Sequence, residues 1–223
     1  MIATGIDYLA LIEKMPPGAV TILPDVEWEE YEELLHELDE RSGVRLTYDS
    51  GRLQIMTLSF GHERIVDMFP HLIMALALEC GMNFIGAKST TFRKELDEKG
   101  TEPDDCYYFT NFKQVAGKEK TAIDLSVDPP PELAFEVDIT SPSLDKLPIY
   151  AAIGVPELWR YTKNGFEFYR LEDGEYFEIT HSDLFPFLTP DDVYSFLSIG
   201  VAEGAVVMAN EFREWIKTNR RQG

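Results

Sequence analysis

Cysteine is nearly absent: the 223 residues include only Cys80 and Cys106. They stand in unrelated contexts with no metal-type spacing, so neither a disulfide framework nor a zinc module is expected. Both read as reduced core thiols, which favours a cytoplasmic protein. Long apolar runs are missing too, and no segment approaches the roughly 18 uninterrupted apolar residues of a membrane span. The opening "MIATGIDYLALIEKMPPG" has neither a basic n-region nor a long apolar stretch, so no signal peptide is expected. Internal repeats, low-complexity tracts and a convincing linker are also lacking. The expectation is one domain over 1–223, with a helical N-terminal extension over about 1–43 and C-terminal helices over about 190–220.

Positive charge is scarce. Forty acids against twenty bases give a net charge of −20, which repels a polyanion at long range. Phosphate contacts supply much of the affinity for nucleic acid, so a generic nucleic-acid binder should be basic. Two local basic patches stand against the global sign. Lys113, Lys118 and Lys120 share one loop, and Arg213, Lys217, Arg220 and Arg221 lie near the C-terminus. Each reads most simply as solvated surface.

What is present is a core. The chain is 44% hydrophobic and 12% aromatic, enough to bury a real interior. "DVEWEEYEELLHELDERSG" places Tyr31, Leu34, Leu35 and Leu38 at helical spacing between a cap-like Asp25 and Gly43. "VRLTYDSGRLQIMT" alternates on both sides of Ser50-Gly51, the pattern of a hairpin. A helix follows from about Gly61 to Cys80, with Pro70 expected to kink or break it. Short strands fit "MNFIGA", "STTFRKEL" and "TEPDDCYYFT". A helix over "LDKLPIYAAIG" should stop at Gly154. A three-stranded meander should then turn at Asn164-Gly165 and Asp173-Gly174. This order implies an α/β (α+β) protein with a central mixed sheet flanked by helices.

Chemistry concentrates in "PELAFEVDITSPSLDKLPIYAAIGVPELWRY", from Pro131 to Tyr161. Leu133, Phe135, Val137 and Ile139 call for a core, yet Glu136 and Asp138 interrupt them, and buried carboxylates are costly without partners. Asp104 follows Pro103 on another strand, and Lys146 lies at the start of the next helix. Hard carboxylate oxygens hold Mg²⁺ while leaving it several waters, and a nearby lysine can stabilise developing negative charge. By residue type and spacing alone two readings stay open. Asp104, Glu136 and Lys146 could converge on a metal, or Asp104 and Asp105 could serve a turn while Glu136 joins an ion pair at a strand end. His62 could be a base, a partner of the site or a structural histidine. His36, His71 and His181 show no ligand spacing. Trp159 and Tyr161 fit core packing, and Ser141 and Ser143 lack the partners of a serine nucleophile.

Several elements together resemble the Uma-two family of candidate restriction endonucleases, common in cyanobacteria, within the PD-(D/E)XK nuclease superfamily. They are "EPD" at Glu102 to Asp104, Glu136-Val137, Ser141-Pro142-Ser143, and the block from Asp145 and Lys146 through Tyr150 and "GVPE" to Trp159. The resemblance runs from roughly Trp28 to Leu188. It implies a restriction-endonuclease-like core, a Mg²⁺ cofactor (Mn²⁺ as a substitute), DNA as substrate and a homodimer. Carried over by position, Asp104 and Glu136 are metal ligands, and Glu63, the further acid of the first core helix, is a candidate ligand as well. The superfamily lysine usually stands two residues after the acid, where this chain has Asp138, an additional candidate ligand. The Uma-type pattern has a lysine four residues before a tyrosine, matched by Lys146 and Tyr150. The expected function is thus Mg²⁺-dependent DNA endonuclease action, with Asp104, Glu136, Lys146 and Glu63 as catalytic residues. The alternatives are a catalytically inactive interaction or assembly protein on the same fold, or a metal-dependent hydrolase of a smaller phosphate ester.

Overall fold

The computed structural model describes residues 6–38, 43–88, 90–117, 123–139 and 143–220. The strands form two sheets. One is antiparallel and five-stranded, in the order β1 (Val20–Leu23), β3 (Arg52–Thr57), β2 (Val44–Asp49), β6 (Lys99–Thr101), β5 (Phe92–Lys94). The other is six-stranded and mixed, in the order β11 (Glu175–Ile179), β10 (Gly165–Glu172), β9 (Glu157–Thr162), β8 (Leu133–Asp138), β7 (Asp105–Tyr108), β4 (Ile85–Gly86). Among the described residues only β8 and β9 run parallel, and α5 (Leu147–Ile153) lies in the connection between them.

Local sequence explains where these elements begin and end. The β2–β3 hairpin turns on Ser50 (φ 47°) and Gly51 (φ 83°), the left-handed pair that a tight two-residue turn requires. The β10–β11 turn uses Asp173-Gly174 as expected. The β9–β10 turn is displaced by one residue: Gly165 already pairs with Thr162, so Lys163-Asn164 forms the loop. Helix α3 (Phe60–Cys80) starts where the Ser59 hydroxyl accepts from His62 N and stops at Gly81 in the left-handed region. It runs through Pro70 without a break. The C-terminal helices are α6 (Pro190–Glu203), which opens with a capping box between Thr189 and Asp192, and α7 (Ala205–Asn219).

The N-terminal region is not only helical. It contributes β1 along with α1 (Tyr8–Ile12) and α2 (Trp28–Leu38). Asp25 does not cap α2. It sits at φ 56°, and Glu27 and Glu30 close the first turn instead. The expected end of this helix, 39–42, lies outside the described residues, as do Lys118, Lys120, Ser141, Pro142 and Arg221. The loop carrying Lys113 includes a short helix, α4 (Phe112–Val115). At the C-terminus Arg213 pairs with Glu79 and Lys217 with Glu214.

Three apolar clusters hold these layers together. Leu133, Phe135 and Val137 of β8 face α3, α6 and α7, and Phe69 stacks on Phe135 with ring centroids 3.8 Å apart. Ala134 and Leu158, on the opposite face of the sheet, pack with Ile149, Tyr150 and Ile153 of α5. The six-stranded sheet therefore carries helices on both faces, as expected. In the third cluster, Leu46, Tyr48, Leu53 and Ile55 of the five-stranded sheet pack under α1 and α2. Helix α5 also packs against β5 and β6, so it lies between the two sheets.

Candidate active site

Asp104 immediately precedes β7, whose Asp105 pairs with Phe135 of β8. Continuing that antiparallel register by one residue sets Asp104 opposite Glu136, within cross-strand contact range. The strand pairing itself thus brings two acids together at one end of the sheet. Both are deeply buried, Asp104 at 4% and Glu136 at 2% exposure.

Residues from two helices, with one backbone amide of β8, compensate them. Lys146, at the N-cap of α5, donates from Nζ to Glu136 Oε2 at 2.6 Å. One turn on, the Tyr150 hydroxyl donates to Glu136 Oε1. Asp104 Oδ2 accepts from Val137 N at 2.8 Å and lies 3.1 Å from His62 Nε2. The other ring nitrogen, His62 Nδ1, lies 3.1 Å from Glu63 Oε1, giving a carboxylate–imidazole–carboxylate chain from the half-exposed Glu63 to the buried Asp104. His62 is therefore a partner of the site rather than of the core. Glu63 reaches the cluster only through it. Asp138, two residues beyond Glu136, accepts instead from the Ser143 hydroxyl at 3.2 and 3.4 Å.

The two acids respond oppositely to the same burial. Burial pushes Glu136 up to about 6; Asp104 adds to the shift, while Lys146 and Tyr150 oppose it. Burial alone would also raise Asp104, but the hydrogen bond and charge of His62, with the charge of Lys146, hold it below its usual range. Burial would lower Lys146 and His62, yet both are raised, Lys146 by Glu136 and Asp104, His62 by Asp104 and Glu63. Tyr150 is held well above its usual range by burial and by Glu136, so it remains a donor.

The described residues contain no group of three His, Cys, Asp or Glu side chains gathered to hold a metal ion. Asp104 and Glu136 nevertheless fit the sparse donor set that Mg²⁺ favours, one or two carboxylates completed by waters and substrate phosphates. Each carboxylate offers about four lone-pair sites. Those of Glu136 are half used, by Lys146 and Tyr150.

A mixed sheet with helices on both faces and a buried Asp–Glu–Lys cluster at its strand ends defines a class of α/β protein built around a polar, strand-end site. The chain belongs to the Uma2 family, described as "Putative restriction endonuclease", whose match spans residues 28–202. No curated protein matches it. Among solved structures it is similar to a protein from Anabaena variabilis ATCC 29413 described as a putative nuclease belonging to DUF820. The two share 16% identity over 68% of this chain and 90% of that one, with a TM-score of 0.45. No helix among the described residues is long and apolar enough to cross a membrane.

Proposed function

We propose that the chain is a Mg²⁺-dependent DNA endonuclease acting at a PD-(D/E)XK-type site, with Asp104 and Glu136 as the metal ligands. The observation that carries this reading is the meeting of Asp104, Glu136 and Lys146 at the ends of β7 and β8. A bound Mg²⁺ would polarise the scissile phosphate and lower the pKa of a coordinated water. The protein's own groups supply the rest. Lys146 keeps its proton through its carboxylate neighbours and can give a hydrogen bond to charge developing on a phosphate oxygen. Tyr150 fixes the Glu136 carboxylate, and His62 with the Val137 amide fixes that of Asp104. Glu63 supports His62 from outside. Asp138 adds negative charge near Lys146 without a ligand role in this reading.

The net charge of −20 does not preclude a local approach, since exposed charges beyond about 8–10 Å are screened at physiological salt. A homodimer, one copy for each strand of a duplex, is the assembly that suits this activity. The competing reading, a non-catalytic protein on the same fold, is favoured by one fact: Glu136 is already in a close ion pair with Lys146, at 2.6 Å.

Titration calorimetry of Mg²⁺ and Mn²⁺ into the wild type and Asp104→Ala, with both assayed on supercoiled plasmid at low salt, separates these readings. The expected result is metal binding and nicking by the wild type and neither by the variant. Binding without nicking would point to a smaller phosphate ester. No binding by the wild type would overturn the metal site.

A further inference from the structure

The five-stranded sheet has two buried faces of unlike character. Beneath α1 and α2 it is apolar, with Leu46, Tyr48, Leu53 and Ile55. The opposite face carries a row in direct register: Gln54 on β3 pairs with Thr47 on β2, and Thr47 with Thr101 on β6. These three are 2%, 1% and 0% exposed, and the two threonine hydroxyls lie 3.4 Å apart. Buried polar side chains in register need a reason, because each costs free energy unless it is used.

The row leads to the site. Thr101 is followed by Glu102, Pro103 and Asp104. At the other end, Gln54 Oε1 accepts from Leu144 N at 2.6 Å, across 90 positions of chain. Leu144 stands two residues before Lys146, and Asp145 Oδ1 takes Leu147 N at 3.1 Å, closing the first turn of α5. Lys94 of β5 meanwhile donates to Ala152 O near the end of the same helix, at 2.9 Å. The sheet therefore grips α5 at both ends, and the contact nearest Lys146 is a single buried amide.

We propose that Gln54 is a positioning residue for Lys146: by holding the Leu144 amide, it sets where the chain enters α5 and so aims the lysine at Glu136. The role presupposes the Asp104–Glu136–Lys146 cluster as a reaction site. Its test does not depend on activity.

The rate at which an amine-reactive reagent modifies Lys146, read by peptide mass spectrometry, reports how firmly the ammonium is held against Glu136. It is compared with exposed Lys163 and with Lys99, which belongs to the same sheet as Gln54. Gln54→Ala should speed modification of Lys146 by roughly three- to tenfold, the equivalent of one lost hydrogen bond, and leave Lys99 unchanged. Gln54→Glu, which keeps an acceptor oxygen, should restore the slow rate. Gln54→Met, of similar shape but without an acceptor, takes the place of the alanine variant if that one fails to fold. An unchanged Lys146 rate, or equal acceleration at Lys99, overturns the proposal, the latter by showing that Gln54 only holds its sheet together. If the wild type nicks plasmid, Gln54→Ala should lower kcat more than it raises KM. A wild type that does not nick would sink the nuclease reading while the labelling result stood.

Discussion

The two sheets bury charge in different ways. In the five-stranded sheet, Asp49 is 5% exposed and is neutralised by Arg52 and Lys99, the residues its own strand register sets opposite it. Burial would raise the Asp49 carboxyl, but these two cations hold it below its usual range. In the six-stranded sheet, strand pairing brings like charges together, and their partners arrive from elsewhere: His62 from α3, Lys146 and Tyr150 from α5. Compensation built into a ladder stabilises the ladder. Compensation delivered by separate helices depends on how those helices pack against the sheet.

The sharpest way to break the contrast is to take one partner from the strand-end cluster. Lys146→Met leaves Glu136 buried beside Asp104 without its cation, and should cost about 3 kcal/mol in urea unfolding at neutral pH. The loss should shrink as pH falls toward about 6, the value Glu136 has with Lys146 beside it, because without that cation its carboxyl takes up a proton at higher pH still. Combining Lys146→Met with Glu136→Gln should recover much of it, giving a large coupling term.

Asp49→Asn is the counterpart in the other sheet, expected to cost about 2 kcal/mol near neutrality. Here the sign follows from a depressed carboxyl. The stabilisation is complete above the ordinary carboxylate pKa and is lost as pH falls through the lowered value, so wild type and variant should converge only in acid below the ordinary carboxylate range. A gap that persisted in acid would show that the Asp49 contacts do not depend on its charge.

The smallest effect concerns a polar atom with no partner. Tyr31 Oη is buried under the five-stranded sheet and has no hydrogen-bond partner among the described residues. Tyr31→Phe should therefore leave stability unchanged or raise it by up to about 1 kcal/mol, measured by thermal melting. A clear destabilisation would mean that the hydroxyl is satisfied in solution.

Much of the fold was legible in local pattern. Helical spacing in α3, the Gly81 and Gly154 stops, and the Ser50-Gly51 and Asp173-Gly174 turns depend on residues within a few positions of one another. The apolar run of Leu133, Phe135 and Val137 likewise announced a core strand. Misreadings arose where local signals competed. Asp25 looked like a cap but took a left-handed turn, and the β9–β10 loop slipped one residue because the pairing of Thr162 with Gly165 decided it. At the site, Asp104, Glu136 and Lys146 were recognisable from the family resemblance. The link from His62 to Asp104 was one of several open options. Gln54 gave no signal beyond a polar residue at an inward position of a hairpin.

By itself, then, the sequence determined the helix stops at Gly81 and Gly154, the turns at Ser50-Gly51 and Asp173-Gly174, the family and which side chains could carry chemistry, because these follow from spacing and residue type. Only the tertiary structure decided that β1, β5 and β6 join the hairpin in a second sheet, that α5 is held between the sheets, and which partner each buried acid receives. Those outcomes depend on contacts between residues as far apart as Gln54 and Leu144, or His62 and Asp104. Their free energy is realised only once the intervening chain has folded, so no local pattern records them.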